Sequence, residues 1–100
     1  MVEDWKINSQ VIAELTRNWV DLKRLNISTV NGVIYIKGLL IFHHHDSKVE
    51  NPKAILQKQV IEEEKIKRIE KRLKSIEGVK AIRLNFTNWI KEGLRWKRIS

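Results

Sequence analysis

Three clusters in this hundred-residue chain hold side chains of the kinds that bind or react. They are His43-His44-His45-Asp46, the acidic triplet Glu62-Glu63-Glu64, and the run Trp89-Ile90-Lys91-Glu92-Gly93-Leu94-Arg95-Trp96-Lys97-Arg98. In an extended segment His43 and His45 project to the same side, about 6–7 Å apart by strand rise. Two imidazoles at that spacing, completed by Asp46 or by a second chain, suit a divalent metal such as zinc or nickel. The chain has no other histidine, so no third imidazole can come from another element. The expectation is a solvated loop that takes metal at His43 and His45 only adventitiously, and no cofactor is expected. Three consecutive glutamates on a basic helix are read as a solvated ion-pair face.

Catalysis finds little support. There is no cysteine, no phosphate-cradling glycine loop, and no histidine outside the triplet to act as a distant base. An enzyme is therefore the least favoured class. The C-terminal run is the best binding candidate, because it interleaves two tryptophans with Lys91, Arg95, Lys97 and Arg98. Tryptophan favours the lipid headgroup zone, and each cation adds roughly 1 kcal/mol near an anionic surface. Lys91, Arg95, Trp96, Lys97 and Arg98 are thus the expected contacts to an anionic lipid surface. The same residue types suit phosphate contacts with base stacking, although no RNP1-type or G-x-x-G motif accompanies them. A third arrangement folds Trp89 and Trp96 onto the sheet as a final hairpin, with the cations outward.

Charge sharpens this reading. The formal net charge is +8. Residues 1–50 carry six Lys/Arg and six Asp/Glu, so the entire excess lies in residues 51–100. Such asymmetry favours an anionic partner, or it provides a solubilising surface of the kind found in thermophiles. The acidic first residues, with no apolar run behind them, show no signal-peptide pattern, and no apolar run approaches the roughly 18–20 residues of a transmembrane helix. The expectation is a cytoplasmic protein, at most peripheral to a membrane.

The elements that position these residues follow from periodicity. A first helix is predicted from about Gln10 to Leu25, capped by Asn8 or Ser9, with Ile12, Leu15, Trp19 and Leu22 as its core stripe. Asn31-Gly32 is the preferred pair for a two-residue type I′ turn. It joins a strand at Leu25–Val30, with Ile27 toward the core, to a strand at Val33–Phe42, with Ile34, Ile36, Leu40 and Phe42 on one face. Gly38 is read as a bulge or a close helix approach. Asn51-Pro52 looks like a cap with proline at the first helical position. The stripe Ile66, Ile69, Leu73 and Ile76 makes a helix over 62–76 secure, while Val60 and Ile61 lie off that phase. Gly78 is read as the helix stop, followed by a strand from Val79 to about Trp89. Leu94–Ile99 is either a fourth strand or a basic tail.

ISTVNGVIYIKG at 27–38 and IEGVKAIRLNF at 76–86 resemble the BON domain (bacterial transport-associated and nodulation domain). An alternating strand, an Asn-Gly-Val turn, a strand ending in Gly, a helix, and a Gly-Val strand entry carry the resemblance. It covers roughly residues 10–88 and implies a non-catalytic interaction module, often membrane- or phospholipid-associated. The long connection after the second strand and the segment from Ile90 depart from the pattern.

The fold expected is α+β, with two helices packed on one face of a small mixed three- to four-stranded sheet in α-β-β-α-β order. It forms a single domain over 1–100, with an irregular 43–53 connection and a basic extension at 89–100. Its uncovered sheet face is expected to carry Tyr35, Lys37, Arg83 and Trp96. The function expected is a non-enzymatic module contacting an anionic membrane surface or another protein. The alternatives are a nucleic-acid-binding module using the basic second half, or a self-assembling domain that oligomerises through the exposed sheet face or edge.

Overall fold

The computed structural model describes residues 2–43 and 52–99, with 52–60 described by backbone alone. The order is α1 (Asp4–Arg17), a short 3-10 turn (Leu22–Arg24), β1 (Leu25–Val30), β2 (Val33–Gly38), α2 (Pro52–Lys74), β3 (Ala81–Phe86), β4 (Trp89–Glu92) and β5 (Arg95–Arg98). β1 and β2 pair antiparallel, β2 and β3 pair parallel, and β4–β5 form a separate antiparallel hairpin. The fold class is α+β, as expected.

The Asn-Gly turn forms as its chemistry requires. Asn31 and Gly32 lie at φ 50° and 80°, the pair of positive angles a type I′ turn needs. Asp4 holds the turn from above, its two carboxylate oxygens accepting the Asn31 and Gly32 N–H groups, each at 2.9 Å. This turn fixes the register Ile27–Ile36 and Thr29–Ile34, and β3 adds Leu84 and Ile82 to the same rows. One face of the sheet therefore meets Ile7, Val11 and Leu15 of α1 and Ile66, Ile69 and Leu73 of α2 in the core.

Several boundaries differ from the periodicity reading, each for a local reason. α1 starts at Asp4, not Gln10, and buries Ile7, Val11 and Leu15; Ile12 and Trp19 lie outside the core. Two apolar stripes share Leu15, and the sheet takes the one anchored by Ile7. The helix stops at Arg17 in a Schellman arrangement: Trp19 N–H donates to the Thr16 carbonyl and Val20 N–H to that of Leu15, both at 3.1 Å. Trp19 thus occupies, at φ 64°, the left-handed position usually given to glycine. β2 ends at Gly38 rather than Phe42, although Leu40 and Phe42 stay buried and Phe42 bridges Val20. The Asn88 amide clamps this stretch, donating to the Leu40 carbonyl at 2.7 Å and accepting its N–H at 2.9 Å.

α2 is one helix beginning at Pro52 and ending at Lys74, so Gly78 closes the following turn rather than the helix itself. Ile61, off the core stripe, is half exposed. β3 ends at Phe86, which leaves Thr87 and Asn88 to turn the chain into β4. Most of the 43–53 connection lies outside the described residues.

Gly38 marks a close approach, made where the 3-10 turn runs into β1. At φ 127° it lies so near the 3-10 turn that a Cβ would sit 2.3 Å from the Arg24 carbonyl oxygen. That oxygen accepts the Leu39 N–H, so it cannot simply turn away. Gly38→Ala is expected to cost about 3 kcal/mol or more in urea unfolding, since steric clash and backbone strain add; a loss under about 1 kcal/mol would contradict this packing.

Candidate functional site

The structure brings the C-terminal run together in the β4–β5 hairpin, and most of its cations reach carboxylates of α2. Glu63 is the hub, and its carboxylate is only about a tenth exposed. It accepts from Arg95 Nε at 3.3 Å and Nη2 at 3.2 Å, and from the Trp96 backbone N–H at 3.1 Å. Lys67, one turn along, lies 3.7 Å away. Lys91 Nζ reaches Glu70 at 2.6 Å, Arg98 lies 3.5 Å from Glu62, and Lys97 pairs with Glu92 across the hairpin at 3.2 Å. The hairpin is stapled to the helix by charge.

Two expectations are corrected here. Trp96 is 4% exposed, its ring 5.7 Å from that of Phe86, so it is part of the core and cannot be a headgroup contact on the surface or a member of the open sheet face. Its indole N–H is buried with no partner among the described residues. Glu62 and Glu63 are buried and take the hairpin's cations, while only Glu64 of the triplet stays exposed; the triplet is not a solvated face. The arrangement with both tryptophans folded inward is the one the structure adopts, since Trp89 is also 4% exposed.

His43 is exposed and its Nε2 lies 3.7 Å from an Asp21 oxygen. His45 lies outside the described residues, as does His44. Among the described residues no group of three or more His, Asp or Glu is placed to hold a metal.

The remaining surface is the sheet face turned away from the helices, and its register lays out a grid. Asn26, Lys37 and Asn85 form one row; Ser28, Tyr35 and Arg83 the next; Val30, Val33 and Ala81 the third. With strands about 4.8 Å apart, Tyr35 lies at the centre of a platform roughly 10 Å wide. Tyr35 is 45% exposed, and Lys37 and Arg83 are exposed beside it. The grid holds two cations and no acid. Asn26, Ser28, Tyr35, Lys37, Arg83 and Asn85 line a shallow depression of about 390 Å³. Asn26, Ser28 and Asn85 were not singled out from the sequence; the alternation of β1 and β3 carries the signal, but their pairing onto Tyr35 needs the strand order.

No family model, curated protein or solved structure matches the chain. Among the described residues no helix is long and apolar enough to cross a membrane.

Glu63 also sets an acid limit. The Arg95 hydrogen bond, helped by the Trp96 N–H and the charges of Arg95 and Lys67, holds its carboxyl below the ordinary 4.5, against burial, which pushes it up. A group depressed in the folded state stabilises that state fully above its unfolded value and stops doing so as pH falls through the folded one. Hairpin docking should therefore be constant at neutral pH and weaken below about pH 4.5. Tryptophan fluorescence against pH is expected to show this acid step, and Glu63→Gln to remove it while lowering the melting temperature at pH 7.

Proposed function

We propose that this protein is a non-enzymatic binding module whose open sheet face takes single-stranded nucleic acid. The observation that carries the reading is the grid itself: an exposed tyrosine at its centre, a lysine and an arginine beside it, amide side chains at both ends of one row, and no acidic residue. An unstacked base has a π-face, and stacking on an aromatic ring contributes about 1–3 kcal/mol per base. Lys37 and Arg83 supply phosphate contacts, and the Asn26 and Asn85 amides match the donor–acceptor edges of bases. The net charge of +8 concentrates a polyanion around the molecule.

This reading moves the binding surface from the C-terminal run to the sheet. Lys91, Arg95, Lys97 and Arg98 each face a carboxylate, so their field toward an outside anion is reduced. One observation favours the anionic membrane surface as a second reading. Leu94, at the tip of the β4–β5 hairpin, is 87% exposed between Lys91 and Arg95. A protruding leucine with Lys91 and Arg95 on the flanking strands suits the headgroup boundary.

Fluorescence anisotropy with a labelled single-stranded oligonucleotide, over a salt series, separates the two. Tyr35→Ala is expected to weaken binding about tenfold or more, and Lys37→Ala or Arg83→Ala to reduce the salt slope by about one each. Lys97→Ala is expected to change little. Binding to anionic vesicles that is lost with Leu94→Asp and kept with Tyr35→Ala, without oligonucleotide binding, would establish the second reading in place of the first.

A further inference from the structure

The free edge of β1 and the outer side of α1 form one continuous uncharged surface, and we infer that it is the interface of a two-fold symmetric dimer of this chain. In a two-residue hairpin the residues flanking the turn exchange hydrogen bonds, and the pattern alternates from there. Val30, Ser28 and Asn26 therefore bond β2, consistent with the Arg24 carbonyl accepting the Leu39 N–H in the same phase. The N–H and C=O groups of Ile27 and Thr29 and the C=O of Leu25 point to the open edge, and no backbone hydrogen bond meets them among the described residues; the Leu25 N–H is taken by the Leu22 carbonyl of the 3-10 turn. An edge of this kind is ordinarily blocked by a charge, a proline or a bulge. β1, with the sequence LNISTV, has none of these.

α1 continues the surface. Its Glu14 side faces α2, where Arg72 lies 3.5 Å from the Glu14 carboxylate. Its Asn8 side faces β1, where the Thr29 hydroxyl donates to the Asn8 amide oxygen at 3.0 Å. Beyond Asn8, on the side away from α2 and above the free edge, helical spacing places Trp5, Ser9, Ile12 and Thr16. Trp5 is 63% exposed, with its indole N–H donating to Glu3 and the Lys6 ammonium 5.6 Å from its ring centre at the rim, and Ile12 is 38% exposed. Trp19 follows, half exposed, at a backbone angle where glycine would be relaxed.

The spacing is self-complementary. α1 runs antiparallel to β1, from Asp4 above the turn through Asn8 above Thr29. Four residues of helix and two of strand both advance about 6 Å, so Ile12 lies level with Ile27. A two-fold axis through Ile27 pairs Ile27 with its copy and Leu25 with Thr29 of the other chain. The Ile27 N–H and C=O then pair with those of its copy, each Thr29 N–H meets the Leu25 carbonyl opposite, and the inner and outer faces stay matched. The same axis sets Ile12 against its copy. It brings Trp5 of one chain to Trp19 of the other, because both lie seven residues from Ile12. A stable dimer of this kind needs roughly 1,200 Å² or more buried in total. In a chain of +8, this uncharged surface is where a second copy is met with least repulsion.

Sedimentation velocity of the full chain over a concentration series tests the dimer. A monomer–dimer equilibrium is expected, shifting toward dimer between about 50 and about 500 mM salt as long-range repulsion is screened. The double variant Trp5→Lys/Ile12→Lys, at exposed positions, and Thr29→Pro, which removes one outward N–H, should each raise the dimer dissociation constant at least about tenfold. Tyr35→Ala should leave it unchanged, and circular dichroism should show each variant folded. A monomer across the whole series, a dimer indifferent to both edge variants, or a dimer lost with Tyr35→Ala would overturn the inference.

Discussion

A buried carboxylate must be satisfied, and Glu63 on α2 is satisfied almost wholly by the C-terminal hairpin. The Arg95 guanidinium stays mostly in water while the carboxylate does not, so the interaction is lopsided: the hairpin can spare the bridge more readily than the helix can. The Trp96 N–H is the decisive third bond, because it ties the backbone of β5 to α2 and so delivers the Trp96 ring against Phe86. Without that bond the Trp96 ring would lose its backbone anchor to α2, and Phe86 at the end of β3 would lose a fixed aromatic neighbour. The location of the basic residues, and therefore what they are free to do, follows from this one acid.

The distribution of surface charge then separates into three regions. The hairpin carries many cations, yet each is balanced by a nearby carboxylate. The open sheet face carries fewer cations and no acid. The β1 edge with the outer side of α1 carries uncharged side chains within a rim of charge. Counting charge along the chain points to the first region; what matters for an outside partner is charge without an internal counterion, which points to the second. A two-fold axis perpendicular to the sheet would join two such open faces into one longer platform, so the third region would extend the second.

Much of the fold was legible because its signals are local. The Asn31-Gly32 pair dictates its own backbone angles, and the alternation in β2 and β3 survives whichever elements cover it. Pro52 marks the start of α2 by the same kind of local constraint. The first helix was harder, because Ile7-Val11-Leu15 and Ile12-Leu15-Trp19 are equally helical stripes, and only the position of the sheet chooses between them. Trp19 was misplaced because it ends the helix from a left-handed conformation that its residue type does not advertise. The Glu62-Glu63 pair and Trp96 were misread for one shared reason: more than thirty residues separate the acids from the hairpin that meets them, and neither half shows the other in its own spacing. Of the candidate surface, Tyr35, Lys37 and Arg83 were visible from alternation, while the amides around them depended on which strand lies beside which.

The account stands or falls on the sheet face and not the hairpin being the binding surface. Amide chemical-shift mapping of the isotopically labelled chain, titrated with a single-stranded oligonucleotide, addresses this directly. The account predicts shifts concentrated on Asn26–Ser28, Tyr35–Lys37 and Arg83–Asn85, with the β4–β5 hairpin nearly unmoved. Shifts concentrated on Lys91–Arg98, with the sheet unmoved, would contradict it.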